Sequence, residues 1–487
     1  MGNEPKHVAI IGGGLTGLSA AYYLKKAMAE RGAAVRITLI EKGSSFGGRI
    51  HTLRKEGFVI EKGPDSFLAR KPAMIELTRE LGLEDQLTGT NPNAKKTYII
   101  HKNRFHRMPP GLVLGIPTEL GPFMKTGLLS IAGKARAALD LLLPKRSSED
   151  DESLGAFLER RLGKEVLSQI AEPLLAGIYA GNTYALSVKA TFPQFHSLEQ
   201  KHRSLIIGMT RNRKQGGEES RTMPEVAKNT VFLTFKQGLQ TIVEGLTEAL
   251  VRDGVRFIKE AEVRSIRKAD GAGEGRPYEL TYGSGQTESI DGAVIALPAY
   301  AIAPLLQEVP AAHELMDIDY ASVANVILAF REQDMVRELD GSGLLVPRSE
   351  GRFITACTWT SSKWLHTAPE GKVLLRCYVG RSGDERWMGM SEPEIVRAVR
   401  HDLQELMGIT AEPMFTEITK MPRSMPQYPV GHLQLVQRVR SGLAKQMPGV
   451  HVTGAAFHGV GLPDCVRQGK ETALALAAQL TAAGSSQ

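Results

Sequence analysis

The sequence predicts an α/β fold built around one nucleotide-binding domain that the chain leaves and re-enters. Three observations predict it. A glycine-rich turn follows the first apolar run, an acid closes the second apolar run, and a second glycine-rich turn stands near the far end of the 487 residues. At about 150 residues per domain, a chain of this length holds two or three domains. Hydrophobic residues make up 42% and charged residues 23%, as in an ordinary soluble enzyme able to bury large cores.

The first element is "VAIIGGGLTGLSAAYYL", residues 8–24. Apolar VAII reads as a buried parallel strand. Gly12, Gly14 and Gly17 make GxGxxG, with Gly13 between them and Leu15 and Thr16 opening a helix that runs to about Arg31. Without Cβ atoms the chain turns tightly, approaches a pyrophosphate, and packs helix on strand. The helix N-terminus faces the phosphates. The next strand, "RITLIE", ends at Glu41, 24 residues after Gly17. An acid there accepts hydrogen bonds from ribose hydroxyls. Strand, glycines, helix, strand and acid in this order predict a Rossmann-like dinucleotide site, open at this point to NAD or FAD.

Beyond the acid, "EKGSSFGGRI" places Lys42 beside it and Gly48 and Arg49 just after it, and "EKGPDSFLARKP" sets Gly63, Pro64, Asp65 and Ser66 on a tight turn. Residues 93–189 read as mainly helical, including an amphipathic stretch, "FMKTGLLSIAGKARAALDLLL", that either packs internally or touches a membrane surface. "TRNRKQGGEESR" reads as an exposed loop. Leu239, Ile242, Val243, Leu246 and Leu250 keep helical spacing up to Asp253 and Gly254, and short strands follow at 255–258 and 263–266, then a hairpin loop in "KADGAGEGRP" and a buried strand in "GAVIALP". "GVHVTGAAFHGVGLPDCVRQG" reads as strand, small-residue turn with Gly454, Val460, Gly461 and Leu462, and a helix from about Pro463 to Leu480.

Composition removes several function classes. Cys357, Cys377 and Cys465 are far apart and form no CxxC pair, which fits a reducing cytoplasm and predicts neither a zinc site nor a disulfide framework. The first strand begins near His7, too early for a signal peptide, and Lys6 stands where a myristoylation motif wants Ser or Thr. No uncharged apolar run of about 18 residues predicts a spanning helix. The net charge of +7 suits a solvated basic surface, an acidic small molecule or an anionic membrane surface. No basic run is interleaved with aromatics, so no nucleic-acid partner is expected.

The GGR segment after the ribose acid resembles the FAD-binding pattern of the flavin amine oxidase superfamily. "GPDSFLARKP", "AEPLLAGIYAG", "MPQYPVGH" and "GAAFHGVGLPDCV" narrow the resemblance to its protoporphyrinogen/coproporphyrinogen oxidase family, nearest the soluble Gram-positive coproporphyrinogen III oxidases, from about His7 to Leu480. The resemblance implies an amine oxidase-like fold: residues 5–65, 230–298 and 420–487 in a discontinuous FAD-binding domain, 66–92, 190–229 and 299–419 in a mixed α+β substrate-binding domain, and 93–189 in a helical domain. It implies that Val263 touches the adenine, against its plain reading as a core valine. It implies a porphyrinogen substrate and heme biosynthesis, with oxygen as acceptor and a downstream heme-pathway enzyme as a candidate partner. It places the protein in the cytoplasm, with peripheral membrane contact left open.

Oxidising a porphyrinogen to a porphyrin removes six electrons and six protons. FAD takes two electrons at a time, so three cycles run, with peroxide formed and no NAD required. Loss of hydride from a bridge carbon leaves a stabilised cation, and a pyrrole N–H then sheds its proton, so no strong catalytic base is assigned. Cys465 lies in a different motif from the flavinylated cysteine of monoamine oxidases, which implies non-covalent FAD. Arg70 and Lys71, just after the flavin turn, are the candidate cations for substrate propionates, or a solvated pair before Pro72. Asp464 reads as a helix cap and His458 as a structural histidine, each with a flavin-side role as the alternative. An amine or polyamine oxidase, a carotenoid desaturase and a non-catalytic relative such as a GDP-dissociation inhibitor remain the rival readings.

Overall fold

The computed structural model describes residues 4–215, 223–269 and 276–482. A five-stranded, wholly parallel sheet gathers segments from both ends and the middle of the chain. Its spatial order is Arg256–Ile258, Val35–Ile40, Lys6–Ile11, Gly292–Ile295 and Val450–Val452. The central strands Lys6–Ile11 and Gly292–Ile295 are short apolar runs buried on both faces, as parallel strands require, and the edge strand Arg256–Ile258 is more exposed. Three helices cover it: Leu15–Glu30, Gln240–Arg252 and Leu462–Ala482. The last crosses the first so closely that a Cβ on Gly469 would lie 2.6 Å from the Thr16 carbonyl oxygen.

A seven-stranded sheet carries the other face of the cleft. Its order is Phe415–Pro426, Tyr320–Arg331, Lys372–Val379, Ile354–Trp359, Gly341–Leu345, Lys96–His101 and Arg104–Arg107. All neighbours are antiparallel except Gly341–Leu345 with Lys96–His101. The last two strands correct the helical reading of residues 93–189. Ile99 and Ile100 are wholly buried, and the segment is an edge hairpin of the sheet, with helices beginning only at Leu120.

The helical layer spans Leu120–Gln215. The expected amphipathic stretch is broken into Leu120–Lys125 and Ile131–Ala138, followed by a tight turn at Leu139–Leu141. Ser130 restarts the helix because its hydroxyl caps the Gly133 N–H at 3.0 Å. Gly163, at φ +90°, likewise ends Leu154–Leu162. The helix Leu205–Gln215 takes up the first half of the expected loop 210–221, and its residues from 216 lie outside the described residues. The antiparallel pair Val263–Lys268 and Tyr278–Tyr282 flanks the expected hairpin loop, whose residues 270–275 also lie outside them. Among the described residues no helix is long and apolar enough to cross a membrane, and no group of three or more His, Cys, Asp or Glu side chains could hold a metal.

Candidate active site

The crevice opens at the carboxyl ends of the parallel strands, the edge where open α/β sheets bind ligands. Gly12 takes φ +101°, and a Cβ there would lie 2.6 Å from the Ala296 carbonyl oxygen. A Cβ on Gly17 would lie 1.9 Å from the Gly12 oxygen, backbone against backbone. Only glycine fits either position. Gly14 caps the helix at Leu15 with no side-chain hydrogen bond, and the first turn holds no acid. Its leading N–H groups therefore remain available to an anion, and a diphosphate suits them. Gly13 and Gly48 line the same turn: Gly47 N–H donates to the Gly13 oxygen at 2.8 Å, and Gly48 backs Gly14.

Glu41 closes the second strand. Its Oε2 accepts the Gly13 N–H and its Oε1 the Gly43 N–H, both at 2.7 Å. A carboxylate keeps further lone pairs after two such bonds, so ribose hydroxyls can still be accepted there. Lys42 turns away from the crevice, with its Nζ 2.7 Å from Glu262 on the surface. Val263 is buried and begins its strand two residues after Ala261, whose N–H donates to the Glu41 carbonyl at 3.1 Å. It thus packs in the core close to the acid.

The flavin turn is held from below. A Cβ on Gly63 would lie 1.7 Å from the Arg49 carbonyl oxygen. The Arg376 guanidinium donates to the Gly63 oxygen, and Asn325 Nδ2 donates to the Lys62 oxygen at 3.1 Å. Pro64 is half-buried on this turn. Asp65 and Ser66 are engaged with the protein: Ser66 Oγ donates to Asp65 Oδ1 at 2.7 Å, and Lys363 lies 3.5 Å from the same carboxylate. Burial would raise the Asp65 pKa, but Lys363 and Arg376 outweigh it and hold the acid at about 2. Arg49 is accessible in the crevice, and its pKa is lowered by desolvation. Its Nη2 donates to the Arg423 oxygen at 3.4 Å, and among the described residues no carboxylate pairs with it.

The second glycine turn closes the far wall. Gly454, at φ +118°, faces Thr16. Tyr428 pins the residues after it: its hydroxyl donates to the Ala455 oxygen at 2.5 Å and accepts the Gly459 N–H at 3.0 Å. Val460, Gly461 and Leu462 lead half-buried into the last helix. Asp464 in its first turn pairs with Lys71 at 2.5 Å, which leaves the helix dipole less opposed by that carboxylate. Arg70 is exposed beside it. The His458 N–H donates to Gln468 at 3.1 Å, and burial, with Arg440 and Arg467, lowers its pKa, so the ring is neutral at pH 7. Burial pushes the Cys465 thiol up to about 11, which leaves it a poor nucleophile.

Residues 15–477 match the model of the flavin containing amine oxidoreductase family. The chain belongs to this family. Among its relatives, coproporphyrinogen III oxidase of Bacillus subtilis is 45% identical over 96% of this chain and 97% of its own, and that of Staphylococcus aureus 39% identical over 98% and 100%. Protoporphyrinogen oxidase 1 of Arabidopsis thaliana, chloroplastic, is 30% identical over 96% and 87%. A solved structure of Putrescine Oxidase shares the fold, with TM-score 0.69 and 16% identity over 98% of this chain and 99% of its own. This member of the family is an FAD-dependent oxidoreductase.

Sequence reasoning missed Arg376, Asn325, Arg423 and Tyr428. Tyr428 stands inside the motif "MPQYPVGH", but nothing local says that its hydroxyl reaches residues 455 and 459. Arg376 and Gly63 are 313 positions apart, a contact with no local sequence signal.

Proposed function

We propose that the protein oxidises coproporphyrinogen III to coproporphyrin III, with oxygen consumed and hydrogen peroxide formed. The observation that carries the substrate is the end-to-end match to two coproporphyrinogen III oxidases. The crevice supports the redox part through open helix N–H groups, a ribose-side acid and Arg49, which among the described residues has no carboxylate partner.

FAD, when bound, supplies a two-electron acceptor, so a six-electron oxidation needs three turns and three molecules of oxygen. The protein's own part is positional. Gly12, Gly14 and Gly17 would bring main-chain donors to the diphosphate, Glu41 would accept from the ribose, and Arg49 would supply the nearby positive charge. Gly63, fixed by Arg376, and the turn 455–459, fixed by Tyr428, are the backbone segments that would hold the ring when it is bound. None of these residues is asked to abstract a proton, because each oxidised bridge acidifies a pyrrole N–H.

The test is aerobic oxidation of copro- and protoporphyrinogen side by side, reading porphyrin fluorescence and peroxide. Faster coproporphyrinogen turnover with peroxide and no NAD is expected. Preference for protoporphyrinogen, the substrate in the plant relative's name, would give that reading instead.

The helical layer supports shallow membrane contact. Leu120, Met124, Ile131, Leu139 and Leu142 are exposed within one short stretch, beside Lys125, Lys134 and Lys145. An apolar patch with a basic rim suits an anionic bilayer surface. Sedimentation with anionic vesicles should exceed that with neutral ones, and Ile131→Asp/Leu142→Asp should abolish it. Equal sedimentation of wild type and variant rules the contact out.

A further inference from the structure

We propose that Arg381 binds a propionate carboxylate of the substrate at the end of the cleft remote from the flavin turn. This rests on the porphyrinogen reading and names a residue which that reading leaves unused.

Arg376 and Arg381 stand on and just beyond one strand, Lys372–Val379. Arg376 is fixed under the flavin turn through the Gly63 carbonyl. Five residues further, at most about 16 Å along an extended chain, Arg381 reaches the seam between the seven-stranded sheet and the helical layer. Gly380 makes the bend at φ +88°, where a Cβ would lie 2.4 Å from Trp387 Nε1 and 2.7 Å from the Ser322 oxygen. The chain then crosses to the helical layer, and Ser382 N–H donates to the Ala180 oxygen at 2.7 Å. The seam adjoins the flavin side through packed rings: Tyr179 packs edge-on against Tyr428 at 5.7 Å, and Tyr428 holds the turn 455–459.

Arg381 is only 5% exposed, yet among the described residues its buried Nε has no hydrogen-bond partner. Its nearest carboxylate oxygen, Asp384 Oδ2, is 4.0 Å away, and that side chain also pairs with Arg386 at 3.0 Å. Arg348 beside it is fully engaged, with Glu172 at 2.8 Å, the Ser382 oxygen at 3.1 Å and the Gly181 oxygen at 3.3 Å. Glu385 is taken by the Ser322 N–H. Three guanidiniums thus share two carboxylates, and the buried one is left over. A desolvated cation without its full set of acceptors is costly, and an incoming carboxylate matches the guanidinium fork. A tetrapyrrole with one bridge carbon at the flavin turn carries its far propionates toward this end of the cleft.

The experiment compares coproporphyrin III with its tetramethyl ester as equilibrium ligands of the FAD-loaded enzyme. Wild type should prefer the free acid. Arg381→Met should weaken the free acid by about ten- to a hundred-fold and leave the ester unchanged, with FAD content and flavin absorbance as in wild type. In turnover, KM should rise more than kcat falls. Arg381→Lys should fall between the two, and it decides the matter should the Met variant not fold. An unchanged preference for the free acid in a folded variant, with wild type still oxidising coproporphyrinogen, overturns the Arg381 assignment and leaves the substrate standing. Failure of wild type to oxidise either porphyrinogen removes both.

Discussion

The crevice and the helical layer both bury charge, but they treat it in opposite ways. In the helical layer, Arg161 and Asp140 are wholly inaccessible and saturated. Asp140 accepts from Arg161 Nε at 2.6 Å, Ser204 Oγ at 2.6 Å and the Ile206 N–H at 3.0 Å, and Arg161 also donates to the Pro144, Asp140 and Arg203 carbonyls. Along the cleft, among the described residues Arg49 has no carboxylate partner and Arg381 has only a distant, shared one. Saturated charge holds a scaffold together. Unsaturated charge, placed where desolvation already opposes it, marks where an anion belongs. The number of partners, rather than the sign or depth of the charge, separates the two regions.

Asp140→Ala breaks the comparison hardest. It removes the close carboxylate from the inaccessible Arg161 guanidinium and leaves it only Glu199 at 3.5 Å and main-chain carbonyls, a loss of about 3 kcal/mol. Chemical denaturation should show the loss. Arg49→Met should leave the apo-protein's denaturation midpoint near that of wild type while weakening FAD. Similar destabilisation by the two would erase the distinction between the regions.

Glu61 sharpens it from the crevice side. Its carboxyl accepts the Leu239 N–H at 2.6 Å and the Thr52 hydroxyl at 3.0 Å, and burial pushes its pKa up to about 7 from the usual 4.5. A carboxyl whose folded pKa is raised favours folding below its unfolded pKa and loses that contribution as pH rises through the folded value. The window is therefore about pH 4.5 to 7, and the loss across it is on the order of 3 kcal/mol. Asp65, held at about 2, works in the opposite sense: its contribution is fully present above about pH 4 and is lost as pH falls from there toward 2. Glu61→Gln keeps one oxygen for the Leu239 N–H and places an amide donor against the Thr52 hydroxyl, and it should flatten the stability profile between pH 5 and 8. A wild-type profile already flat in that range contradicts the assignment.

Glu41→Ala comes next. Hydrogen bonds to a charged group are worth roughly 1.5–3 kcal/mol, so FAD affinity should fall about ten- to a hundred-fold. The same change also releases the Gly13 and Gly43 N–H groups. Riboflavin, which has no ribose or diphosphate, should bind wild type and variant alike if the loss is local to the ribose. Unchanged FAD affinity would show that the acid does not hold it.

The individual strands of the parallel sheet and both glycine turns were legible because each signal is local. An apolar run, a glycine whose neighbour leaves no room for Cβ, and an acid at a strand end announce themselves within a few residues. The hairpin Lys96–His101 and Arg104–Arg107 was hidden because it joins the sheet only through the pairing of its first strand with Gly341–Leu345, more than 200 residues on, and the long amphipathic pattern concealed the break at Ser130. The cations show the same limit. Adjacency in sequence drew attention to Arg70 and Lys71, yet Lys71 is matched by Asp464, 393 positions away. Arg381 sits in an unremarkable "VGRSGDE", and only its lack of close partners in the fold gives it meaning.

The smallest expected effect concerns that first pair. The Lys71 side chain is 42% exposed, so solvent screens its bridge to Asp464, and such a pair contributes about 0–1 kcal/mol. Arg70 is exposed too, and its field reaches substrate only through water. Arg70→Ala/Lys71→Ala should therefore lower kcat/KM for coproporphyrinogen by no more than about five-fold at low ionic strength. Most of that loss should vanish at high salt, where the Debye length falls to about 3 Å at 1 M. Arg381→Met should behave differently, because a charge buried against its ligand is poorly screened, and its loss should persist in salt. The measurement is kcat/KM for both variants at low and high ionic strength. A salt-resistant loss in the double variant, with a salt-sensitive one in Arg381→Met, would exchange the roles of the two sites.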